Sequence, residues 1–169
     1  MSAMELTAAA TTIRSETWKD GKRWAWLLSP AMPAAGLVSV LAVIAGAPGG
    51  LLWTLPFLFY VLAPLSDWLI GEDRVNAPES AVPGLEADSY YRFIVFLYIP
   101  AQYVLTIVGA WYAVQGTLAW WELLGLMLTV GMINGVGINT AHELGHKTNS
   151  LERWLAKITL APVAYGHFF

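Results

Sequence analysis

The chain has 169 residues, 57% of them hydrophobic and 12% charged, with a mean hydropathy of +0.54. Soluble domains carry about twice that share of charge, so the composition is that of a membrane protein. The net charge of −3 argues against nucleic acid as a partner, and the lack of cysteine excludes disulfides, thiolate metal sites and cysteine nucleophiles.

Residues 1–23 open the chain, and the first 15 are polar with no apolar h-region, unlike a cleaved signal peptide. No charged residue lies between Arg23 and Asp67, and none between Arg92 and Glu122. A bilayer core of ~30 Å needs ~20 apolar residues in a helix. The first gap therefore predicts two spans, at 25–46 and 51–70, divided by the turn formers Gly46-Ala47-Pro48-Gly49-Gly50. The second gap predicts a third span at 93–114, and Gln115-Gly116-Thr117 leads into a fourth at 119–141. The expected fold is an all-α, polytopic membrane helical bundle.

Basic residues set the expected topology. Arg14, Lys19, Lys22 and Arg23 precede the first span, Arg74 and Arg92 follow the second, and Lys147, Arg153 and Lys157 follow the fourth. All nine fall on one side, which the positive-inside rule makes the cytoplasm. Residues 1–23 are then a cytoplasmic segment. Trp53, Phe57, Phe59 and Tyr60 make span two aromatic, with lipid-facing or interfacial packing as the default, and Trp120-Trp121 reads as an interfacial belt. Gly131 and Gly135 form a small-xxx-small pair that would admit another helix, while Asn134 and Asn139 call for partners inside the bundle. From Ile158 to Phe169 a further apolar segment begins, too short to span and without a polar cap, as expected of an incomplete sequence.

The chemistry-bearing stretch is His142-Glu143-Leu144-Gly145-His146. On a helix the two imidazoles are four residues apart and project from one face, where both can reach one Zn, Cu, Fe or Ni ion. In a zinc protease Glu143 would activate the metal-bound water; the same spelling also serves an iron oxygenase. A bland interfacial placement of both histidines is the weaker reading, because ionisable groups at a membrane edge tend to be functional.

Wider resemblance separates the two chemistries. Asn139-Thr140-Ala141 through Lys147 resembles the first histidine box of the membrane-bound alkane 1-monooxygenases, within the membrane fatty acid desaturase and hydroxylase superfamily. The loop after span two also resembles that family, through Asp67, Gly71-Glu72-Asp73, Asn76, Pro78 and Glu79. So do Tyr90-Tyr91-Arg92, Arg153-Trp154, Ala156-Lys157 and Tyr165-Gly166-His167-Phe168-Phe169. The likeness covers about residues 24–169, which would be the N-terminal part of a hydroxylase domain, truncated before a second box of the form E-H-x-x-G-H-H expected after Phe169.

The resemblance implies a non-haem diiron centre on the cytoplasmic side of a bacterial inner membrane. It implies terminal hydroxylation of medium- or long-chain n-alkanes with O₂, with electrons from NADH through a reductase and a rubredoxin. His142 and His146 would be iron ligands, the remaining ligands lying downstream, so that a chain of this extent is expected to be inactive alone. Glu143, His167 and Asp67 are candidates for groups supporting the ligands. The family also suggests that a bulky side chain in span two limits substrate length, and Phe59 is the candidate. A xylene monooxygenase or acyl desaturase would share the iron site. A zinc protease or a non-catalytic membrane module would not.

Overall fold

The computed structural model describes residues 18–71 and 76–167. Arg14, Glu72, Asp73, Arg74, Phe168 and Phe169, used above, lie outside the described residues. Four helical stretches are long and apolar enough to cross a membrane: Arg23–Ile44, Gly49–Ile70, Ser89–Ala113 and Trp120–Gly145. Among the described residues, the chain forms the expected all-α bundle with four such stretches.

A 3-10 turn, Arg23–Leu27, leads into α1, Leu28–Ile44. The helix stops because Gly46 adopts a φ of 100°, a left-handed turn that a side chain would strain. There Ala47 N–H bonds Ala42 O at 2.9 Å and Gly46 N–H bonds Val43 O at 3.0 Å, which satisfies carbonyls the helix would leave open. Gly49 and Gly50 then open the next helical stretch, as a 3-10 turn over Gly49–Trp53, instead of belonging to the linker. That stretch continues as α2, Thr54–Phe57, a π turn over Leu58–Leu62, and α3, Ala63–Ile70. Pro64 has no N–H to give the preceding turn, and the helix widens just before it. Only the first part of this stretch packs tightly: Leu52 and Leu55 are fully buried, whereas every residue of α3 is exposed.

The short α4, Val82–Ala87, precedes α5, Ser89–Ala113. Asp88 caps α5 by accepting the Tyr90 N–H at 2.8 Å, so the helix starts four residues before the expected 93. The fourth stretch is α6, Trp120–Gly145, where Glu122 accepts the Ala119 N–H at 2.8 Å. It continues past the expected 141 to take in His142, with His146 as the residue that caps its end. Asn149 caps α7, Ser150–Leu160, through the Leu151 N–H at 2.9 Å. The expected apolar segment from Ile158 is thus the last turn of α7, followed by a 3-10 turn at Ala161–Val163 and a left-handed Ala164 with φ of 55°.

Contacts between helix ends show that the spans alternate in direction. Arg23 pairs with Asp88 at 3.1 Å and Lys147 with Glu86 at 2.7 Å at one end, while Trp53 Nε1 donates to Trp121 O at 3.0 Å at the other. Every described Lys and Arg lies at the first end or on α7, which starts there. One core cluster, including Val40, Leu55, Leu105 and Leu126, joins α1, the second stretch, α5 and α6. A second, of Ile99, Ala141, Leu144, Ala156 and Leu160, fastens α7 against α5 and α6 beneath the histidines.

Helix contacts use other glycines than the sequence pattern suggested. A Cβ at Gly131 or Gly135 would meet nothing within 4 Å, whereas one at Gly125 would lie 2.7 Å from the Trp53 indole and one at Gly137 2.6 Å from Gln102 Nε2. The i, i+4 spelling marks a smooth face; which helix arrives there depends on partners far away in sequence. Trp53, expected by default at a lipid-facing or interfacial position, is wedged between helices, while Phe57 and Tyr60 are exposed. Of the two amides, Asn134 is buried: it accepts from Gln102 Nε2 at 2.8 Å and donates to Thr106 Oγ1 at 3.0 Å. Asn139 is exposed.

Candidate metal centre

The last two turns of α6 hold His142 and His146 on one face because Ala141 and Leu144 bury the opposite one. His146 follows the last helical residue yet keeps helical dihedrals, φ −76° and ψ −12°, and its N–H bonds His142 O at 3.3 Å. The two rings meet edge to face, with centroids 4.5 Å apart and an interplanar angle of 85°. Their Nε2 atoms are 3.0 Å apart. That distance suits an N–H···N contact in one tautomer pairing. It also suits two lone pairs turned toward one ion at the usual imidazole–metal distance of ~2.1 Å. The donor chemistry fits a transition metal. Both rings are exposed.

Two ionic ties flank the pair. Lys147, next to His146, donates to Glu86 Oε1 at 2.7 Å and so fastens the end of α6 to α4. Arg92, on the first turn of α5, donates from Nε to Glu152 Oε1 at 3.0 Å, and the Glu152 side chain is only 8% exposed. Farther along α7, the Tyr103 hydroxyl donates to Ile158 O and Gln102 Nε2 donates to Thr159 O at 3.3 Å. Side chains of α5 thereby add donors to carbonyls at the end of α7, where Ile158 O also accepts the Ala161 N–H. Glu152 and Glu86 carry no local sign of these roles in the sequence. Asn149-x-x-Glu152 carries a helix-start signature, but nothing local names Arg92 as its partner.

The other candidates stand apart from the pair. Glu143 is exposed and about 100° around the helix from His142. His167 packs against the Tyr165 ring with centroids 5.1 Å apart. Asp67 is exposed on α3, and Phe59 is half-buried within the π turn. Among the described residues, no group of three or more His, Cys, Asp or Glu is placed to hold a metal, so this region offers two donors.

No protein-family model matches the chain. It is 41% identical over 157 residues to alkane 1-monooxygenase 1 of Alcanivorax borkumensis, covering 92% of this chain and 38% of that protein. It is 42% identical over 152 residues to alkane 1-monooxygenase of Ectopseudomonas oleovorans, covering 89% and 37%. The Acinetobacter baylyi alkane 1-monooxygenase is 33% identical over 158 residues, covering 88% and 37%. The chain spans less than two-fifths of the length of these curated relatives.

Proposed function

Starting from the homology of this chain with the bacterial alkane 1-monooxygenases, which extends over most of its length, we propose that it is part of a membrane monooxygenase. The reaction is terminal hydroxylation of medium- or long-chain n-alkanes with O₂. Electrons come from NADH through a reductase and rubredoxin. Residues 24–169 belong to the hydroxylase domain and residues 1–23 to the cytoplasmic side of a bacterial inner membrane. The observation that carries the reading is the alignment of about nine-tenths of the chain at 41–42% identity. The histidine pair by itself suits zinc as well as iron.

His142 and His146 would hold iron, each through Nε2, with the other ligands supplied from beyond this region. When bound, a non-haem diiron centre supplies the oxidising power that an unactivated C–H bond demands and that no side chain possesses. The chain's own contribution is binding and placement. Ala141 and Leu144 anchor the histidine face, Lys147–Glu86 holds the helix end that carries it, and Arg92–Glu152 ties the following helix α7 to α5. The apolar spans admit an alkane from the bilayer without an aqueous step, and Phe59 limits its length. Glu143, Asp67 and His167 supply hydrogen bonds or charge around the ligands once the remaining polypeptide surrounds them.

A chimera tests this reading. Replacing the matching segment of the Ectopseudomonas oleovorans relative with this chain should give membranes that convert n-alkanes to 1-alkanols when rubredoxin, its reductase and NADH are added. A well-expressed, iron-loaded chimera that makes no alkanol would contradict it. Reporter fusions after Gly49 and Gly116 should read as periplasmic, and those after Pro83 and Asn149 as cytoplasmic.

A further inference from the structure

Among the described residues, Arg23 faces Asp88, Arg92 faces Glu152 and Lys147 faces Glu86. Arg153 and Lys157 do not. They sit four residues apart on the outer face of α7, and with Ser150 and Trp154 they line a cleft of about 280 Å³ that contains no acidic side chain. Lys157 Nζ lies 4.9 Å from the centre of the Trp154 ring. Like charges at this helical spacing repel, and the indole contact does not neutralise either of them, so the face favours an anion.

The neighbouring stripe says what kind of anion. Leu151, Trp154 and Ile158, spaced i, i+3, i+7, are 54%, 63% and 43% exposed. Ser150, Arg153 and Lys157 repeat the same spacing one residue earlier and form a parallel polar stripe. An apolar row beside a cationic row matches a phospholipid, with the phosphate on one and an acyl chain on the other. The position of α7 agrees. It starts at the basic end of the bundle and runs ~16 Å along its wall, reaching Gln102 about halfway along α5. With the bilayer boundary at the basic end of the bundle, its first turns would lie at headgroup depth and its last turn at acyl depth, within reach of a long lysine stem that extends back toward the surface. Trp154 has the amphipathic ring favoured at that boundary.

We propose that the outer face of α7 binds one anionic phospholipid. Arg153, Lys157 and the Ser150 hydroxyl take the phosphate, and Leu151, Trp154 and Ile158 take an acyl chain. This rests on the membrane-spanning fold and stands independently of the alkane reading.

The test uses the whole chain in nanodiscs of phosphatidylcholine containing phosphatidylglycerol, with retained lipid counted by native mass spectrometry. The parent should retain phosphatidylglycerol selectively. Arg153→Gln/Lys157→Gln should lower that retention roughly twenty-five-fold, since each cation near an anionic headgroup contributes about fivefold. Lys19→Gln/Lys22→Gln, with the same loss of charge, should leave it unchanged. Both altered positions on α7 are exposed, and circular dichroism should show unchanged helicity. The proposal is overturned if the parent shows no selectivity, or if the Lys19/Lys22 variant loses as much. It is also overturned if inorganic phosphate or glycerophosphoglycerol displaces the lipid at equal concentration, which would indicate a free-anion site. Displacement by poly-glutamate would mark the cleft as a site for an acidic protein and overturn it equally.

Discussion

Arg92 and Glu152 join the first turn of α5 to the first turn of α7 across 60 residues of sequence, through a 3.0 Å bond to a carboxylate that is 8% exposed. Arg92 keeps 43% of its side-chain surface, so the pair is protected on the glutamate side and open on the arginine side. Removing the arginine leaves a buried acceptor without its charged donor. Arg92→Met should therefore destabilise the chain by about 1–3 kcal/mol, measured by denaturant titration in detergent. Replacing both residues with apolar ones of similar size, Arg92→Met/Glu152→Met, should recover most of the loss. Equal losses in the single and double variants would mean that the pair is not the cause.

A second relationship is steric. Gly137 leaves room for Gln102, whose Nε2 lies where a Cβ would come within 2.6 Å. Gly137→Ala should cost about 1–3 kcal/mol by overpacking, because Gln102 is fully buried and bonded to Asn134 and Thr159. Gln102→Ala should also destabilise, but combining the two should cost less than their sum, since the clash disappears with the amide. Strict additivity in a double-mutant cycle would contradict this packing.

Neither of those contacts is written locally in the sequence, and the contrast with the spans is instructive. The absence of charge from Trp24 to Ser66 and from Phe93 to Trp121 marks three spans, because a bilayer core penalises charge directly. The ends were less legible. The α5 helix begins at Ser89 because Asp88 caps it and because Tyr90, Tyr91 and Arg92 each find a distant partner: Arg23 O, Asp20 and Glu152. The apolar run from Ile158 reads locally as the start of a new segment, yet its first three residues close α7, whose end is held by Tyr103 and Gln102, more than 50 residues away. His142 and His146 were legible as a pair since helical spacing alone brings them together.

Protonation of the juxtamembrane segment follows from one of those partners. The Tyr91 hydroxyl, 2.6 Å from Asp20, is the largest influence holding the Asp20 carboxyl below its ordinary value, with the Lys22 N–H assisting at 2.9 Å. A depressed folded-state pKa contributes stability above the unfolded value of ~3.9, and that contribution fades as pH falls through the lower folded value. Tyr91→Phe should move the Asp20 titration upward, toward the ordinary range, as followed by carboxyl ¹³C NMR. An unmoved titration would show that the hydroxyl is not responsible.

Substrate length provides a functional prediction for span two. Phe59 precedes Asp67 by eight residues, about 12 Å of helix, and it is half-buried within the π turn. In the chimera, Phe59→Ala should shift preference toward longer alkanes while iron content stays constant, each newly accommodated CH₂ contributing ~0.8 kcal/mol. Competition between alkanes of different length reads this directly, and an unchanged preference would mean that the ring faces away from the substrate.

The central claim is that His142 and His146, 3.0 Å apart at Nε2, are two ligands of an iron site. Its most direct measurement is metal analysis of the purified chimera beside its His142→Ala and His146→Ala variants. The account predicts iron in the parent and its loss from both variants while helicity is retained, since a missing ligand should cost more than the ~10–100-fold typical of an outer partner. Full iron content in either variant, or zinc in place of iron in the parent, would contradict it.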